Sequence, residues 1–139
     1  METPDCKPVY GTKNSAGCDL VAHIKEDVII WPGERKLVPT GISVAIPVGF
    51  EGQVRPRSGL ALKRGITVLN SPGTIDSDYR GPVGVLLYNS SDEEYTIKPY
   101  DRIAQLVITL YMKASWDVVE DQTLNDTERG EGGFGSTGT

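Results

Sequence analysis

Four stretches of this chain carry side chains able to do chemistry on a phosphate. NSPGTIDSDYRG, from Asn70 to Gly81, sets an amide, two carboxylates, an aromatic and an arginine between two apolar runs. Asp76 follows the β-branched Ile75, so a strand can project its carboxylate into a pocket, where it could take a proton from water beside a phosphorus atom. The same DSDYRG also suits an ordinary hairpin turn. In FEGQVRPRSG, strand alternation puts Glu51, Gln53, Arg55 and Arg57 on one face, and the strand feeds a helix start at Ser58. Free N–H groups, the helix dipole and the Arg57 fork favour an anion there, although a solvated face with a capped turn reads equally well. Gln105 is an amide inside the apolar run RIAQLVITL, and it must find a core hydrogen bond or face a cleft.

The fourth stretch is RGEGGFGSTGT, Arg129 to Thr139, with five glycines between Gly130 and Gly138. Ordering so much glycine costs entropy, and no core can form. What it offers is a cation (Arg129), an aromatic face (Phe134), hydroxyls (Ser136, Thr137) and glycine N–H groups able to curl around phosphate oxygens. Gly130, Gly132 and Gly135 satisfy G-x-G-x-x-G, but no long helix follows them, and the Walker-like reading lacks its lysine. A phosphate-covering lid or a floppy tail are the two remaining readings.

These residues must be positioned by strands. DVIIW, ISVAIPVG, FEGQVRP, ITVLNSPG, VGVLLYNSS, YTIKP and RIAQLVITLYM are short β-branched runs punctuated by Pro and Gly, the pattern of an all-β barrel or jelly roll. Ile42, Val44 and Ile46 share one face, and Leu106, Ile108 and Leu110 share another. The one helix expected is SGLALKRG, with Ser58 as N-cap and Gly65 just past its end. The folded body is expected over residues 1–124 and a flexible arm over 125–139.

Composition narrows the function. At 139 residues one domain and one core are expected. A net charge of -5 argues against binding a nucleic-acid backbone. His23 is the only histidine, which excludes zinc-ligand spacing, and alternation from Leu20 to Ile24 makes it an ordinary strand residue. Cys6 and Cys18 suggest no disulfide framework. With no apolar run of membrane-spanning length and no signal-peptide core in METPDCKPVYGTK, a soluble, cytoplasmic protein is expected.

Taken in order, AGCDL at 16–20, PRSG at 56–59, NSPGTIDSDYRG at 70–81, RIAQ at 102–105 and RGEGGFGSTG at 129–138 resemble the five motifs of the trimeric deoxyuridine triphosphatases, or dUTPases. The match spans almost the whole chain. The resemblance implies a jelly-roll homotrimer with shared active sites that hydrolyses dUTP to dUMP and pyrophosphate with Mg2+, lowering dUTP and supplying dUMP for thymidylate synthesis. By the same resemblance, Asp76 is the general base. Asn70, Gly73, Thr74, Ile75 and Gly84 read uracil, and Tyr79 lies under the deoxyribose and leaves no room for a 2′-hydroxyl. Arg57, Ser58, Gly59 and Gln105 bind phosphates, Asp19 acts through metal-bound water, and Arg129, Phe134, Gly135 and Ser136 close the lid. Rival readings are a dCTP deaminase of related fold, which would use a glutamate base and lack the arm, and a nucleotide-sensing protein on the same scaffold.

Overall fold

The computed structural model describes residues 6–118 and 127–135. Ten strands and one helix follow in the order β1 (Val9–Tyr10), β2 (Gly17–Val21), β3 (Val28–Ile30), β4 (Arg35–Ser43), β5 (Phe50–Arg55), α1 (Ser58–Arg64), β6 (Ile66–Val68), β7 (Gly73–Ile75), β8 (Pro82–Asn89), β9 (Tyr95–Ile97) and β10 (Arg102–Leu110). They form a five-stranded sheet, β1-β2-β10-β5-β7, a three-stranded sheet, β4-β8-β6, and the pair β3-β9, all antiparallel. The expected all-β architecture with one short helix is what the chain adopts.

Alternation explains the layering. In β2, Cys18 and Leu20 are buried while Asp19 faces out, and in β8 Val83, Val85, Leu87 and Asn89 point inward. Together with Ile30, Val38, Ile97, Ile103 and Leu106, the apolar members of this set make one core. Asn89, fully buried, is satisfied on every side: its amide donates to the carbonyls of Ile30 (2.9 Å) and Glu93 (2.7 Å), and its oxygen accepts from Ser91. It thereby ties β3 to the turn after β8. Ile42, Val44 and Ile46 do share an inward face, although β4 ends at Ser43. Leu106 is core, whereas Ile108 and Leu110 on its face become exposed as β10 runs outward.

The helix differs from expectation at one end. Arg57, with extended backbone (φ -91°, ψ 127°), is the N-cap, and Ser58 is the first helical residue, with no side-chain cap bond. The helical ladder opens one residue early because the Arg57 carbonyl already accepts the Ala61 N–H at 3.0 Å. That bond draws Ser58 into helical geometry and leaves the capping position to a residue without a short side-chain acceptor. The other end is as read: Gly65, at φ 63°, closes the helix in the left-handed region.

Candidate functional site

Asp76 is the first residue after β7, and its carbonyl accepts from the Tyr79 N–H at 3.1 Å, making a tight turn. Arg80 staples that turn, donating to the carbonyls of Ser77 (2.7 Å) and Tyr79 (2.8 Å). The Tyr79 hydroxyl donates to the Pro82 carbonyl at 3.0 Å. A cleft of about 200 Å³ results, lined by Thr74, Ile75, Asp76, Tyr79, Pro82, Val83 and Gly84. Asp76 also borders a second hollow with Glu51, Ser77, Asp78, Tyr111 and Lys113. Gly73 is buried within β7, opposite Val54, with the amide of the exposed Asn70 close against it, and neither residue is among those lining the cleft.

A separate cleft of about 240 Å³ gathers Asp19, Arg57, Ser58, Gly59 and Gln105 with Gly11, Ser15 and Gly17. Cross-strand register explains the meeting: Asp19 on β2 faces Gln105 on β10, and Gln105 faces Arg55 on β5. Asp19 is gripped from both sides, by Arg57 Nε at 3.1 Å and Arg102 Nη1 at 3.3 Å. Arg57 Nη1 further donates to the Arg102 carbonyl at 3.0 Å, and the Gln105 amide donates to the Pro56 carbonyl at 3.0 Å. Gln105 therefore has its hydrogen bond and lines the cleft as well. The amides of Ser58 and Gly59, in the first turn of α1, have no helical acceptor, and both residues border this space.

Arg102 escaped sequence reasoning because it lies three residues from Gln105, which on a regular strand means the opposite face. A register shift between Arg102 and Ala104 resolves this: Ile103 and Ala104 are both buried, and the bulge turns Arg102 and Gln105 to one side. Gly17 was missed too. A Cβ there would collide with the Gln105 carboxamide, so only glycine leaves that side chain its seat. Of the expected face of Glu51, Gln53, Arg55 and Arg57, the first three are hydrogen-bonded along β5, with Gln53 donating to Glu51 at 2.8 Å and Arg55 Nε to Gln53 at 3.0 Å, whereas Arg57 lies beyond the end of the strand and pairs with Asp19. This polar ladder runs along β5, between β10 and β7.

In the described part of the arm, Arg129 Nε donates to the Gly132 carbonyl at 2.8 Å, Gly130 and Gly135 take φ of 51° and 90°, and Phe134 is fully exposed. Ser136 lies outside the described residues. His23, expected within a strand, sits just beyond β2 and is exposed, its ring edge-on to Tyr100 at 6.4 Å between centroids. The thiol of Cys18, on the core side of β2 beneath Asp19, has its pKa pushed up by burial. Among the described residues no three His, Cys, Asp or Glu side chains converge on a common point, and no helix is long and apolar enough to cross a membrane.

Known proteins are similar to this chain in sequence and in fold. The sequence model of the dUTPase family matches residues 5–138. A deoxyuridine 5'-triphosphate nucleotidohydrolase of Wolbachia pipientis subsp. Culex pipiens (strain wPip) is 60% identical over 131 residues, 94% of this chain and 86% of that protein. Among solved structures, the Staphylococcus bacteriophage 80alpha dUTPase with dUPNHPP is 29% identical, with a TM-score of 0.84 over 96% of this chain and 92% of that one. A mutant dUTPase from phage phi11 of S. aureus, whose structure reveals the coordination of a structural Mg(II) ion, is 26% identical, with a TM-score of 0.73 over 83% and 90% of the two chains.

Proposed function

The chain belongs to the dUTPase family, enzymes that hydrolyse dUTP on a jelly-roll fold, and within that activity we propose that Asp76 is the general base of a reaction shared between its two clefts. Water attacks the α-phosphorus, its proton passes to the Asp76 carboxylate, and the bond from that phosphorus to the oxygen bridging the β-phosphorus breaks. The products are dUMP, available for thymidylate synthesis, and pyrophosphate. The observation that carries this reading is the position of Asp76: no other side chain pairs with its carboxylate among the described residues, and it borders the Thr74–Gly84 cleft.

In that cleft the backbone of Thr74, Ile75 and Gly84, together with the neighbouring Gly73 and Asn70, reads the uracil edge. A fixed donor and acceptor pattern left unpaired by cytosine is costly, which favours backbone for the task. Tyr79 lies under the deoxyribose. Arg57, Ser58, Gly59 and Gln105 take the phosphates, and Asp19, held between two arginines, orients Arg57 and retains lone pairs through which it would hold Mg2+ by way of water. Such an outer carboxylate, together with substrate oxygens, suits Mg2+, which keeps several waters and needs no all-protein cage. When bound, the ion neutralises charge on the triphosphate. From the arm, Phe134 stacks on uracil while Arg129, Gly135 and Ser136 close over the phosphates and exclude water.

No single cleft of the described chain holds both residue sets, and the β5 ladder stands between them. This supports a homotrimer whose sites combine the base-reading cleft of one copy with the phosphate cleft of another. Pyrophosphate release with Mg2+ from dUTP, dTTP, dCTP and UTP tests the function: preferential cleavage of dUTP is the expected result, and ammonia release from dCTP would overturn it.

A further inference from the structure

Tyr79 is one wall shared by two hollows: the cleft of Thr74 and Asp76, and an apolar groove of about 360 Å³ with Leu37, Pro39, Pro82, Val83 and Gly84. The residue is 44% exposed, so packing alone does not hold it. Two things do. The hydroxyl is anchored on the Pro82 carbonyl at 3.0 Å, and to reach it the ring arches directly over Gly81. A Cβ built on Gly81 would lie 2.6 Å from Cζ and 3.0 Å from Cε2 of Tyr79, and closer still to the hydroxyl oxygen. Real Cβ atoms essentially never come within 3.0 Å of a neighbour, so a side chain at 81 forces the half-exposed ring to move.

The exclusion is selective. The three nearest atoms to that hypothetical Cβ all belong to Tyr79, and Gly81 is absent from the left-handed backbone positions, so alanine escapes the strain of that region and, chain neighbours aside, meets no other atom as close. We infer that Gly81 is a positioning residue for sugar specificity: the missing side chain gives Tyr79 its seat, and any substituent at 81 evicts the ring from beneath the sugar. This deepens the proposed role of Tyr79 and rests on it. With the ring displaced, the space it denies to a 2′-hydroxyl opens, and discrimination between deoxyribo- and ribonucleotide falls.

The experiment is steady-state hydrolysis of dUTP and UTP by the wild type, Gly81→Ala, Tyr79→Ala and the double variant, with thermal melting of each. Gly81→Ala is expected to melt close to the wild type and to lower the dUTP-to-UTP ratio of kcat/KM by roughly 10- to 100-fold. The double variant is expected to be no less selective than Tyr79→Ala alone, because the glycine acts only through the ring. If Tyr79→Ala relaxes the ratio and Gly81→Ala leaves it unchanged or raises it, the inference falls and the reading of Tyr79 stands. Additive losses in the double variant also overturn it. If Tyr79→Ala keeps the wild-type ratio, the tyrosine's sugar role fails, and the role of Gly81 fails with it.

Discussion

Asp76 and Cys18 are both acids placed by a strand, one just past the end of β7 and the other inside β2, and they meet opposite surroundings. Asp76 is exposed at the mouth of a cleft, with its turn held by Arg80 and Tyr79. Asp76→Asn keeps the shape and removes the proposed proton acceptor, so turnover is expected to fall about 10²- to 10⁴-fold, with binding of a non-hydrolysable dUTP analogue retained in calorimetry. Cys18 is buried, its Sγ donating to the Leu106 carbonyl at 3.4 Å, and burial raises its pKa above the ordinary 9.0. Thiolate is the reactive form and the Cys18 thiol is both buried and raised in pKa, so at about pH 8 a maleimide is expected to label Cys18 only after unfolding and the less buried Cys6 before it, as peptide mass spectrometry would show. The stability consequence has a definite sign. Above about pH 9 the unfolded chain gives up this proton first, so folded Cys18 binds more protons than unfolded, and stability declines as pH rises.

At the scale of elements, β2 and β10 together build the cleft of Asp19, Arg57 and Gln105 proposed to take the phosphates, and each contributes an irregularity. The β10 bulge brings Arg102 to the face of Gln105, and Gly17 clears room for the Gln105 carboxamide. Gly17 has no left-handed φ, so alanine there strains side chains and not backbone. Gly17→Ala is expected to break the Gln105 to Pro56 bond and raise KM for dUTP about tenfold, with kcat less affected and the melting temperature nearly unchanged. A large loss of stability with unchanged KM would assign Gly17 to folding instead.

For the whole molecule, the two clefts and the exposed apolar residues lead to the same conclusion. Leu110, Met112, Trp116 and Val118 follow one another out of β10, each largely exposed, and Val48 is exposed likewise. On the proposed homotrimer, such a run is surface available for another copy of the chain to cover. If sites are shared as proposed, Asp76→Asn and Arg57→Ala are each nearly inactive alone. Refolding the two together is expected to restore part of the dUTPase activity, since some sites then pair an intact base-reading cleft with an intact phosphate cleft. No recovery, in mixtures whose mixed oligomers are verified by mass spectrometry, would place each site within one chain.

Much of this was legible without coordinates, because it depends on local periodicity. The β-branched runs, the outward Glu51, Gln53 and Arg55, the inward Leu20 and the glycine end of α1 are consequences of side chains alternating along a strand or of one residue's φ. The five ordered motifs likewise carry the family, since a motif is a property of the chain. What the sequence left undecided involves distance between segments. The Arg57–Asp19–Arg102 grip, the bulge that reverses Arg102, the failure of Ser58 to cap its helix and the ring of Tyr79 over Gly81 all depend on contacts that only the folded backbone defines. Register between β2 and β10, whose paired Cys18 and Leu106 stand 88 residues apart along the chain, is set by the packing of a common core, and only the folded chain contains that information.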